Sequence, residues 1–100
     1  MPESRSHRTT ANRIAKRYKT QYNDGQGADI QTSRIAVEVE TPETVPDAVR
    51  QLQGHRKPVY IAGTSQEAVE RALEVTEGTT VGVMDNQGNI IKRSTRKRKR

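Results

Sequence analysis

The sequence predicts an α/β protein, a small mixed β-sheet packed by helices in the order α-β-β-α-β-α-β-β. Three observations predict it. Ile35, Val37 and Val39 alternate with Ala36, Glu38 and Glu40, the two-residue period of a strand. Lys57-Pro58-Val59-Tyr60-Ile61-Ala62 is nearly continuous in apolar character, as a central strand is. Between and after these runs lie apolar stripes at helical spacing, so strand, helix, strand, helix, strand from 35 to 84 implies parallel crossovers.

In chain order, residues 1–7 have little to bury and are expected to be loose. A helix comes next over 8–22, capped by Thr9 or Thr10. Ala11, Ile14, Ala15, Tyr18 and Tyr22 lie on one face, while Arg13, Lys16, Arg17 and Lys19 fall largely elsewhere. Asn23-Asp24-Gly25-Gln26-Gly27 breaks it. Ala28 to Thr32 is a short strand, Ser33-Arg34 a tight reversal, and Ile35 to Thr41 the alternating strand that Pro42 stops. Thr44, with Asp47 three residues on and Pro46 in the first turn, reads as a capping box. The helix it opens carries Val45, Ala48, Val49 and Leu52 inward and ends at Gly54. After the strand at 57–62, Thr64 and Ser65 cap a third helix that runs to about Glu77, with Val69, Ala72 and Leu73 facing inward. Thr79 to Met84 and Asn89 to Lys92 are strands around the hairpin turn Asp85-Asn86-Gln87-Gly88. Residues 8–92 thus form a single α/β domain, and 93–100 a disordered basic tail.

Charge is sorted along the chain. Residues 1–22 carry six bases against one acid, residues 92–100 seven bases and no acid, and the stretch between them five bases against eleven acids; the whole is +6. Two cationic arms around an acidic body point to a polyanion, DNA or RNA, held through Arg13, Lys16, Arg17, Lys19 and Arg50 and through Lys92, Arg93, Arg96, Lys97, Arg98, Lys99 and Arg100. The absence of cysteine excludes disulfides, thiolate nucleophiles and Cys-ligated metals, and two histidines leave no histidine-rich site. No secretory signal and no stretch of about 20 apolar residues occurs, so an intracellular, cytoplasmic location without a membrane partner is expected, with nucleoid association left open. Gly63-Thr64-Ser65 lacks the glycine-lysine pattern of a phosphate loop and reads as a helix cap.

The acidic body supplies the candidate chemistry. Glu38 and Glu40, two apart on one strand, project from the same face about 6.6 Å apart, and Asp29 lies on the preceding strand. Together they offer oxygen-only ligation suited to magnesium, or manganese, beside a substrate phosphate. Acids alternating with valines also suit the wet face of a strand, and that alternative stays open.

The stretch Gly27-Ala28-Asp29-Ile30, a short turn, then Ile35-Ala36-Val37-Glu38-Val39-Glu40-Thr41 resembles the core of the PD-(D/E)XK nuclease-like superfamily, that of many restriction enzymes and junction resolvases. The resemblance covers 28–62 and implies a restriction-endonuclease-like core. It puts Asp29 in the first acidic position, Glu38 in the second, and Glu40 where the family usually keeps lysine. It implies metal-dependent hydrolysis of phosphodiester bonds with Asp29 and Glu38 as ligands, Glu40 as a third ligand or orienting base, and Gln51 as an additional polar site residue. Ala28 stands where that family has proline, the first helix lacks its glutamate, and its first sheet strand has no counterpart. A homodimer is expected by the same resemblance. A non-catalytic DNA- or RNA-binding or ribonucleoprotein module is the alternative function.

Overall fold

A computed structural model of the chain describes residues 5–23, 27–52 and 55–95. The elements are α1 (Arg5–Arg17), β1 (Ile30–Gln31), β2 (Ala36–Glu40), α2 (Val45–Gln51), β3 (Val59–Gly63), α3 (Gln66–Val75), β4 (Gly82–Met84) and β5 (Ile90–Lys92). Their order is the one the sequence predicts. The strands form a single sheet, β1-β2-β3-β4-β5, in which β2, β3 and β4 are parallel and the two outer strands antiparallel to their neighbours.

Strand alternation divides the core into two layers. Val37, Val39, Tyr60, Ala62, Met84 and Ile30 face α1, which lays Ala11, Ile14 and Ala15 on them. Ala36, Val59, Ile61 and Val83 face the other way, against Val45, Ala48 and Leu52 of the α2 region and Ala68, Val69 and Ala72 of α3. Both crossover helices share that face because the strand order proceeds in one direction and crossovers keep one hand. Gly63 lets β3 turn closely into α3: a Cβ there would stand 2.6 Å from the main-chain N of Val69.

Several boundaries differ from the sequence reading. The first helix starts at Arg5, so Arg5, Ser6 and His7 belong to it rather than to a loose segment, and Thr9 and Thr10 are interior rather than caps. It ends at Arg17, five residues early. Lys19 adopts φ 59°, its N–H donates to the carbonyl of Lys16 at 3.1 Å, and the N–H of Thr20 donates to that of Ala15 at 2.9 Å. This is a Schellman closure with lysine where glycine is usual. The Thr44 capping box does not form: Thr44 makes no side-chain cap bond, and its Oγ1 instead accepts from the N–H of Thr41 at 2.9 Å. Ser65 does cap α3, accepting from the N–H of Ala68 at 3.2 Å. Ser94 is buried and the Thr95 N–H donates to the carbonyl of Thr80, so the ordered chain extends past 92. The expected breaks at 24–26 and Gly54, and the tail 96–100, lie outside the described residues. Among the described residues no helix is long and apolar enough to cross a membrane.

Candidate carboxylate site at the β1–β2 edge

β1 is only two residues long, and this shortness builds the site. The antiparallel register pairs Ile30 with Val37 and Gln31 with Ala36, then stops. Beyond it Val39 still presents its N–H toward the open edge, and the ladder no longer reaches it. The Asp29 side chain takes its place, Oδ2 accepting from the Val39 N–H at 2.9 Å. In return the Asp29 N–H donates to Oε1 of Glu38 at 2.8 Å. The two carboxylates are locked side by side at the carboxyl-terminal end of β2, the end at which open parallel sheets present ligand sites.

Glu38 and Glu40 are each only 7% exposed, although alternation with valine would suit a solvated face. The reason is the second helical layer, which covers the face opposite α1. Burial pushes the Glu38 carboxyl up to about 8, and the charge of Asp29 adds to the rise. Burial likewise raises Glu40 to about 7, against a hydrogen bond from the Thr44 side chain and with a further upward push from Asp29. Among the described residues no lysine or arginine forms an ion pair with any of the three acids.

One basic group does reach the cluster, from α1. His7 Nε2 lies 3.1 Å from Oδ2 of Asp29, both side chains being mostly buried. Its ring packs edge-on to Tyr22 with centroids 5.9 Å apart. The sequence reading missed His7, although a signal existed: positions 7, 11, 14 and 18 continue the helical face of Ala11 and Ile14 backward by one turn.

Gln51 is not part of this cluster. It is exposed at the far end of α2, about 9 Å along the axis from Val45, and no hydrogen bond joins it to the acids. The predicted basic residues have varied surroundings. Arg13 Nη1 donates to the carbonyl of Asn86 at 3.1 Å; Arg17 Nη1 donates to the Gln87 carbonyl at 2.9 Å and to Oδ1 of Asn89 at 2.6 Å. Tyr18 adds a bond of 2.8 Å to the Gly88 carbonyl. These contacts tie α1 to the β4–β5 turn. Arg50 pairs with Asp47 at 3.2 Å on the surface, and Lys92 Nζ donates to the carbonyl of Thr76 at 2.7 Å, closing the end of α3. Lys16, Lys19 and Arg93 are exposed, while Arg96, Lys97, Arg98, Lys99 and Arg100 lie outside the described residues.

Among the described residues no group of three or more His, Asp or Glu side chains meets in a metal-holding arrangement. The paired donors, Asp29 and Glu38, nonetheless match the needs of magnesium, since that ion is commonly held by one or two carboxylates with waters and substrate phosphate completing the shell. Compared with protein-family models, curated proteins and solved structures, the chain matches none.

Proposed function

We propose that this chain is a small nucleic-acid-binding domain of the metal-dependent nuclease type, with the restriction-endonuclease-like core formed by α1, the β1–β2 hairpin, α2 and β3. One observation carries the reading: Asp29 and Glu38 are held in direct contact at a strand end, with Glu40 beside them, in surroundings that raise carboxyl pKa values. Placing like-charged, half-desolvated acids together costs stability, and functional sites are where such arrangements concentrate. A dication between Asp29 and Glu38 would remove that cost.

Asp29 and Glu38 would hold the ion, which when bound supplies polarisation of a phosphate oxygen and a more acidic water. Glu40, raised to about 7, is suited to accept a proton near neutral pH. His7 orients Asp29 from the far side. Glu40 stands where the resembled family has lysine, so the positive charge for the transition state must come from a basic side chain outside this trio of acids.

The test is cleavage of branched, single-stranded and duplex DNA with magnesium or manganese, alongside an NMR titration with magnesium. Joint perturbation of Asp29, Glu38 and Glu40, and cleavage lost in Glu38→Ala, support the reading. A second reading rests on a specific observation: Asp29 Oδ2 and Glu38 Oε1 are both engaged by main-chain N–H groups. On that reading the acids merely finish the strand edge of a non-catalytic DNA- or RNA-binding module, and magnesium leaves their resonances unmoved.

A further inference from the structure

Four segments close the amino-terminal end of the parallel strands: the β1–β2 turn, the 55–58 loop before β3, residues 76–81 before β4, and residues 93–95 after β5. They are stitched together. Lys57 Nζ donates to the Thr32 carbonyl at 2.8 Å and to Oε1 of Gln31 at 3.2 Å, and the Ala36 N–H donates to the Pro58 carbonyl at 3.0 Å. The Val59 N–H donates to Oγ of Ser94 at 3.3 Å, and that hydroxyl donates to the Thr80 carbonyl at 2.8 Å. The side chains on these segments therefore belong to one continuous end of the sheet.

That end is basic overall, with Glu77 as the acid of the segment before β4. Arg34, Arg56, Lys57 and Arg93 lie on it, and residues 32–36, 55–58 and 92–95 include neither Asp nor Glu. Arg34, Arg56 and Arg93 are exposed, and none forms an ion pair with a described carboxylate. The contrast with Arg13, Arg17, Arg50 and Arg71 is informative, although Arg5 and Arg8 on α1 are exposed as well. Arg13 and Arg17 hold the β4–β5 turn, Arg50 pairs with Asp47, and Arg71 donates to the Pro42 carbonyl at 3.4 Å. Those arginines are occupied within the fold, whereas Arg34, Arg56 and Arg93 are presented outward.

Guanidinium groups spread along this end, before β2, before β3 and after β5, are complemented by a partner that carries regularly spaced negative charge. Guanidinium groups suit phosphate because their planar forks match its oxygens. The position fits as well. Arg34 stands four residues before Glu38 on one hairpin, about 13 Å away. At about 3.4 Å per nucleotide, a chain lying along the hairpin would reach the carboxylates about four nucleotides from the phosphate at Arg34.

We infer that Arg34, Arg56 and Arg93 form a docking surface for the phosphodiester backbone of a nucleic acid. The inference rests on the nucleic-acid reading above and adds where the backbone sits. Of the three, only Arg93 stands out in the sequence, because Arg34 and Arg56 lie in the acidic body and meet it only through the fold.

The experiment is fluorescence anisotropy of the full chain with a labelled DNA duplex and a labelled single strand over a series of salt concentrations. The parent is compared with Arg34→Gln/Arg56→Gln/Arg93→Gln and with the corresponding triple lysine variant, each checked for an unchanged thermal melt. The glutamine variant is expected to bind at least about tenfold more weakly at low salt, with the slope of log affinity against log salt shallower by about 2 to 3. The lysine variant is expected to keep the parent slope. If the glutamine variant matches the parent in affinity and slope, the docking surface is wrong while nucleic-acid binding stands. If the parent binds neither nucleic acid, both fall together.

Discussion

The carboxylate of Asp29 accepts the main-chain N–H of Val39 at 2.9 Å, at the point where the β1–β2 ladder has already ended. Asp29→Ala removes this acceptor and leaves a buried donor at Val39 with no replacement from the protein. A loss of about 1 to 3 kcal/mol in unfolding free energy is expected, read by urea denaturation. Asp29→Asn keeps an acceptor oxygen and should lose less. In both variants the Glu38 carboxyl should titrate lower than in the parent, because the neighbouring charge has gone; carbon-detected NMR titration reads this directly.

Stability should fall as the pH rises. Glu38 and Glu40 move from an ordinary value of 4.5 to about 8 and about 7, so the folded chain binds more protons than the unfolded chain across that interval. Unfolding free energy then decreases with increasing pH through the same window. The melting temperature of the metal-free protein, measured with a chelator, should be lower at pH 8 than at pH 4.5, and Glu38→Gln should flatten the dependence. A melting curve that rises over this interval would contradict the buried placement of the acids. On the nuclease reading, magnesium or manganese restores part of the loss at the upper end.

Lys19→Gly should stabilise the protein. The residue sits at φ 59° in the closure of α1, where a side chain is strained and glycine is not. A gain of about 0.5 to 1 kcal/mol is expected in chemical denaturation. The exposed side chain contributes no packing that would offset it.

Lys92→Met should destabilise the fold while barely changing affinity for nucleic acid. Its ammonium is committed to the Thr76 carbonyl at 2.7 Å and lies 3.3 Å from the Thr76 hydroxyl. Losing a charge-assisted bond at the end of α3 costs about 1 to 2 kcal/mol. A large drop in affinity with unaltered stability would instead place this lysine on the partner.

Much of the architecture was legible because periodicity reports burial. The alternation from Ile35 to Thr41 and the apolar run at 57–62 mark β2 and β3, and Asp85 to Gly88 marks the turn before β5. Periodicity does not say how many faces are covered, so Glu38 and Glu40 suit a wet strand in the sequence, whereas in the fold the α2 and α3 layer lies over them. The end of α1 was hidden for another reason: no glycine or proline stands at 18–20, and the left-handed turn falls on Lys19, where the Thr20 N–H closes back onto Ala15. Thr44 had the spacing of a cap, but its hydroxyl is drawn to Thr41 and Glu40. His7 escaped notice because a polar, basic leader resembles solvated chain until Asp29, 22 residues away, comes alongside.

The bonds from Arg13, Arg17 and Tyr18 to residues 86–89 span 70 to 73 positions of sequence. Contacts so distant along the chain form late, because the entropy of closing the intervening loop must be met first. During synthesis the amino-terminal helix leaves the ribosome well before the turn it will grip exists. Its grip on that turn must wait for residues 86–89, although Ile30, Val37 and Val39, on which Ala11 and Ile14 pack, come earlier in the chain. A chain truncated before residue 85 should therefore leave the carboxyl end of this helix more open to proteases than the full chain does.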